Sequence, residues 1–129
     1  MNKYPESNLV DSCNSLIKGL RSKLELKSFK NSNLYFKMEK YRSAIIAFKT
    51  TLEKFPDTEY NEEILFMIVK ANFMFASNSI ESKKVERFEA TIDSYLTFVD
   101  SFEKSSFLKT AESYYNSSIR EIEKKNNLN

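Results

Sequence analysis

Apolar residues recur three and four positions apart over most of this chain. The clearest run is Tyr41, Ala44, Ile45, Phe48, Leu52 and Phe55. That spacing follows the 3.6-residue period and predicts an amphipathic helix from about Tyr41 to Phe55. Pro56 stops it, because proline has no N–H to donate and disfavours helix in the residue before it. A second run, Phe88, Thr91, Ile92, Tyr95, Val99 and Phe102, lies 47 positions further on, residue for residue. The first run ends in Phe55-Pro56-Asp57-Thr58 and the second in Phe102-Glu103-Lys104-Ser105, and a third ending of the same kind is Tyr4-Pro5-Glu6-Ser7. One unit is therefore repeated along the chain.

The helix after each ending repeats too. The first carries Leu9, Cys13, Leu16, Ile17, Leu20 and Leu24, and the third Phe107, Leu108, Ala111, Tyr114, Tyr115, Ile119 and Ile122. The second, with Tyr60, Ile64, Met67, Ile68, Ala71 and Phe75, is apolar nearly all round, which predicts burial between neighbours. Asp57 or Thr58 is placed to cap it, with Glu59, Glu62 and Glu63 facing the positive end of its dipole. A further helix is expected from about Ser22 to Met38, joined by Glu39-Lys40 to the Tyr41 helix. The polar stretch from about 77 to 87 reads as an exposed loop, and 124–129 as a fraying tail. The expected fold is all-α, about six antiparallel helices in a single stack over residues 1–129.

Composition sharpens this. Gly19, Pro5 and Pro56 are the only glycine and prolines, too few for a chain of sheets and tight turns. Apolar residues at 41% supply a core, so global disorder is excluded. The net charge of +2 argues against a dedicated nucleic-acid binder. It is unevenly spread: from Lys18 to Lys54 there are ten Lys/Arg against three acids, Glu25, Glu39 and Glu53.

Catalytic chemistry finds little to work with. The chain has no histidine, which removes the commonest general base and metal ligand. There is no Gly-rich phosphate loop and no thiol pair. Adjacent acids such as Glu62 and Glu63 point apart on a helix and serve the dipole. Cys13, the only cysteine, lies on an apolar stripe and is expected to be a small core residue. The chain thus reads as a binding protein without catalytic, metal or cofactor residues. Two segments are candidates for contact with a partner: the basic helix bearing Lys27, Lys30 and Lys37, and the stretch with Ser82, Lys83, Lys84 and Arg87. Either would suit an acidic protein surface or anionic headgroups.

Residues 25–58 resemble a tetratricopeptide repeat, a unit of 34 residues. Tyr35 stands where a large residue ends the first helix, Ala44 where a small residue lets two helices approach, Phe48 where an aromatic fills the space, and Pro56 at the close. Ser28 and Ser32 replace the usual first-helix aromatic and glycine. A narrower resemblance rests on Tyr41-Arg42-Ser43-Ala44-Ile45-Ile46-Ala47-Phe48, Phe55-Pro56-Asp57-Thr58-Glu59-Tyr60 and Asn78-Ser79-Ile80-Glu81-Ser82-Lys83-Lys84. These segments look like the BamD family of outer-membrane assembly lipoproteins, in its Bacteroidetes-type form. The resemblance implies a lipid-tethered array at the periplasmic face of the outer membrane, working beside the β-barrel insertase BamA and accessory subunits, with this chain as its C-terminal half. The lipid-bearing cysteine is not among the residues, since no apolar segment precedes Cys13. The alternative is a general tetratricopeptide adaptor for peptide tails. Its carboxylate-clamping form needs a Lys and an Asn one turn apart, where this chain has Phe29 and Asn33. If preceding repeats are absent, the Leu9–Leu24 helix is left uncovered and should drive self-association.

Overall fold

A computed structural model describes residues 6–127. Among these, five α-helices run in order: α1 (Glu6–Lys37), α2 (Tyr41–Lys54), α3 (Asn61–Ser77), α4 (Glu81–Ser101) and α5 (Leu108–Asn127). Each helix packs on its successor in sequence, and α3 also touches α5. The result is a stack of helical hairpins with α3 in the middle, as its all-round apolar surface requires. Tyr4 and Pro5, the start of the third ending, lie outside the described residues.

The core forms where hairpins meet. Ala44, Phe48, Ile64 and Ile68 make one cluster; Phe66, Val69, Phe98 and Ala111 make the next. Ala44 and Phe48 are wholly buried, so the small residue and the aromatic of the repeat do what their spacing foretells. Phe36, not Tyr35, turns inward at the end of α1; Tyr35 stays 41% exposed.

The 47-residue period is also a structural period. In the turn before α3, Thr58 N–H donates to Phe55 O at 3.1 Å and Asn61 N–H to Thr58 O at 3.3 Å. In the turn before α5, Ser105 N–H donates to Phe102 O at 3.2 Å and Leu108 N–H to Ser105 O at 3.2 Å. The Thr58 hydroxyl accepts from Tyr60 N–H and donates to Glu25; the Ser105 hydroxyl accepts from Phe107 N–H and donates to Glu62. These hydroxyls cap the turns three residues before the helices begin; the N-cap of α3 itself is Tyr60, which makes no side-chain cap, so neither Asp57 nor Thr58 caps that helix directly.

A second period, of 37, relates α1 to α3. Phe29 stacks on Tyr60 at 4.5 Å as Phe66 stacks on Phe107 at 4.7 Å, and Phe36 meets Tyr41 as Phe73 meets Phe88. Glu25 and Glu62 are the matching acids. Phe36 and Tyr41 are five residues apart but Phe73 and Phe88 fifteen, so the α3–α4 hairpin carries ten extra residues at its tip.

Four expectations need correction. The helices expected at Leu9–Leu24 and Ser22–Met38 are one helix of 32 residues, giving five elements rather than six. Nothing between them breaks a helix: Arg21 to Lys27 are good formers apart from Ser22, and Arg21 pairs with Glu25 at 3.7 Å. The stretch 77–87 is a loop only over Asn78–Ile80; from Glu81 onward it is the start of α4. Glu and Lys favour helix however polar they are, and Glu81–Lys84 and Lys83–Glu86 pair along the first turns. The tail does not fray from Lys124, because α5 continues to Asn127 and Lys125 is held by Glu81; residues 128–129 lie outside the described residues. Cys13 is exposed, not core. The half of α1 that carries it extends past the end of α2, and Leu9, Val10, Leu16, Ile17, Leu20 and Leu24 are exposed with it.

Candidate functional site

The ten-residue extension makes a cleft. It lengthens α3 past Phe73 and starts α4 well before Phe88, so this hairpin stands above the shorter α1–α2 turn beside it. A cavity of about 470 Å³ opens between the two tips. Glu39, Lys40, Tyr41, Arg42 and Ser43 form one wall; Met74, Phe75, Asn78, Ser79 and Arg87 form the other.

Its charge is predominantly positive. Lys40, Arg42 and Arg87 face one acid, Glu39. Among the described residues no carboxylate lies within ion-pair distance of any of the three cations. Arg87 is positioned instead by neutral groups: it donates to the Ser79 hydroxyl at 2.7 Å, and its guanidinium lies 4.2 Å from the Phe75 ring centre. The Ser79 hydroxyl in turn donates to Phe75 O, so Ser79 and Phe75 hold each other while they hold Arg87. A guanidinium fixed in this way keeps its charge and loses little freedom when it binds an anion. Asn78 gives its amide N–H to Met74 O at 2.8 Å, leaving its amide oxygen to accept from a ligand.

The backbone contributes as well. Glu39 has φ of 60°, a left-handed conformation that lets the chain reverse in three residues between α1 and α2. Lys40, at the start of α2, makes no side-chain cap, and α2 has no acid in its first turn. The positive end of that helix is therefore not neutralised by its own side chains.

The structure divides the candidate residues read from sequence. Lys27, Lys30 and Lys37 are exposed along α1. Ser82 and Lys83 are exposed in the first turn of α4. Lys84 pairs with Glu81 at 3.3 Å, and Lys125 approaches the same carboxylate at 3.2 Å while donating to the Glu81 carbonyl at 2.6 Å. This clasp ties α4 to α5; the hydrogen bond from Lys125, then those of Lys84, hold the Glu81 carboxyl below its usual range. Lys84 is thus committed within the chain. Of the whole set, only Arg87 enters the cleft. Lys40 and Arg42 were not foreseen, because their nearness to Arg87 depends on the offset between two hairpins of unequal length. The carboxylate clamp is absent for a physical reason: Phe29 occupies the lysine's place and is stacked in the core.

A second depression, of about 320 Å³, lies across α2, α3 and α4 and is lined by Leu52, Leu65, Ile68 and Asn72 with Lys49 and Asp93 at its margin. Its opposed charges give it no marked sign. No helix among the described residues is long and apolar enough to cross a membrane.

No curated protein matches the chain. One family does, the outer membrane lipoproteins of the YfiO type, whose model covers residues 1–88, from α1 through the extended hairpin tip to Phe88. With that match over more than half of its length, and with the helical hairpins expected of it, the chain belongs to the YfiO outer membrane lipoprotein family.

Proposed function

We propose that the chain is a non-catalytic scaffold subunit of the outer-membrane β-barrel protein assembly machinery, acting at the periplasmic face of the outer membrane and binding the periplasmic domains of a BamA-type insertase. The family match over residues 1–88 carries this reading. The lack of histidine in the sequence favours the non-catalytic part. The Tyr41–Phe48, Phe55–Tyr60 and Asn78–Lys84 segments favour the Bacteroidetes-type form and the C-terminal half of its array. Titration calorimetry of this chain with the matching insertase domains, at low and moderate salt, tests it. Micromolar binding that weakens as salt rises is the expected result; no binding at either salt would remove the insertase as partner.

The second reading, a general peptide adaptor, is favoured by the recessed cleft. A panel of unrelated peptides bound as tightly as the insertase domains would select it.

A further inference from the structure

We propose that the cleft between the two hairpin tips is a docking site for an acidic, extended protein segment, with its carboxylates on Lys40, Arg42 and Arg87 and its apolar side chains against Tyr41, Met74 and Phe75. The proposal rests on the scaffold reading only in taking the occupant to be protein.

Three observations carry it. First, the wall of the cleft is an addition to the repeat. The first hairpin closes immediately beyond the Phe36–Tyr41 contact, while the second continues beyond the corresponding Phe73–Phe88 contact for ten further residues. The ring pairs below recur in both hairpins, Phe29–Tyr60 as Phe66–Phe107 and Phe36–Tyr41 as Phe73–Phe88, so these contacts do not call for the extension. Second, the three cations have no carboxylate partner among the described residues, and Arg87 is braced by Ser79 and Phe75 in the absence of one. Elsewhere on the same hairpin Lys83 and Lys84 do have acids beside them. An uncompensated cluster in a concave site focuses its field outward and attracts anions. Third, the lining is mixed. A phosphate-bearing surface needs donors alone, but the cleft adds Phe75 and Met74 and an accepting amide oxygen at Asn78. Those suit apolar side chains and a main-chain N–H. The volume of about 470 Å³ is that of a recess for a few residues of extended chain, which a flat bilayer surface would not enter.

Fluorescence anisotropy would test this with labelled ten-residue peptides carrying two glutamates around a Leu-Phe pair, and with the same peptides carrying glutamines. The glutamate peptide should bind at low salt, and tightness should fall at least tenfold for the glutamine peptide. Arg42→Gln, an exposed substitution, should cause a similar loss with an unchanged melting curve, whereas Lys27→Gln on α1 should leave binding as it is. Equal binding of both peptides, or binding indifferent to Arg42→Gln, would overturn the proposal. So would capture of the chain by anionic phospholipid vesicles, lost in Arg42→Gln, with no binding of peptide. Insertase binding measured on the same Arg42→Gln protein separates the two claims: if it persists while the acidic peptide fails to bind wild type, the cleft proposal falls and the scaffold reading stands.

Discussion

Thr51 brings its hydroxyl to a wholly buried position between α1 and α2, where it meets Ser28 at 2.6 Å and Ser32 at 3.4 Å and donates to Ala47 O at 3.0 Å. Ser32 is itself buried and donates to Ser28 O. The two serines that depart from the repeat pattern thus make an interhelical hydroxyl cluster with Thr51. Phe98 takes the place of Thr51 forty-seven residues on, and Val69 that of Ser32 thirty-seven residues on, so the second hairpin fills the same space with carbon. Thr51→Val should cost about 1 kcal/mol, the usual net worth of a buried hydrogen bond, whereas Phe48→Ala should cost about 3–5 kcal/mol through the cavity it leaves. Urea unfolding followed by circular dichroism would rank them, and equal losses would refute the assignment. At Glu81 the prediction concerns pH. Its carboxyl is held low by Lys125 and Lys84 in the folded chain. The clasp is therefore fully present above the ordinary glutamate pKa of about 4.3 and is lost as pH falls through the lower folded value. Carbon-detected NMR titration of the Glu81 carboxyl should show that midpoint below the free value and shift it upward in Lys125→Gln. Sequence alone could name Ser28 and Ser32 as departures but not their partner, since Thr51 looks like any polar helix residue until the two helices are docked.

Among the elements, α1 is the least supported. Its later half packs on α2 through Phe29 and Phe36, while its earlier half holds Leu16 at 66% exposure and Ile17 at 60%. At about 1.5 Å per residue the 32-residue helix is about 48 Å long, more than twice the reach of α2. The apolar stripe should self-associate in solution. Sedimentation velocity should show concentration-dependent dimers, abolished by Leu16→Glu with Leu20→Glu, and a strictly monomeric wild type at high concentration would rule this out. The stripe was legible in the sequence. Its fusion with the following helix was not, because an apolar pattern marks faces and says little about where one helix becomes the next. The α4 start was misread for a related reason: periodicity detects burial, and a helix tip that rises above the core has none to detect.

For the whole molecule, sequence and structure agree most closely where the same unit packs twice. The 47-residue period covered α2, α4 and both turns. The 37-residue period escaped notice because its members are interrupted by the extension, which puts the two halves of the unit out of step. A chain in which Met74–Arg87 is replaced by a short turn patterned on Lys37-Met38-Glu39-Lys40 should still fold, since the Phe73–Phe88 contact and everything beneath it remain. Its melting temperature should drop by no more than a few degrees, since the clasp to α5 that it loses is a solvent-exposed ion pair. Calorimetric scans would check this, and failure to fold cooperatively would show that the tip belongs to the core after all.

The two unequal tips have a bearing on inheritance. Residues that hold the rings together are under one set of demands, and the stretch beyond Phe73 and before Phe88 is under another. Insertions and deletions there would change the height of one wall and the charges on it without disturbing the stacking below. Lineages could then exchange partners by editing a segment on which the ring stacking does not depend, which would leave diverged members with a shared scaffold and little shared sequence at the place where we propose that they bind.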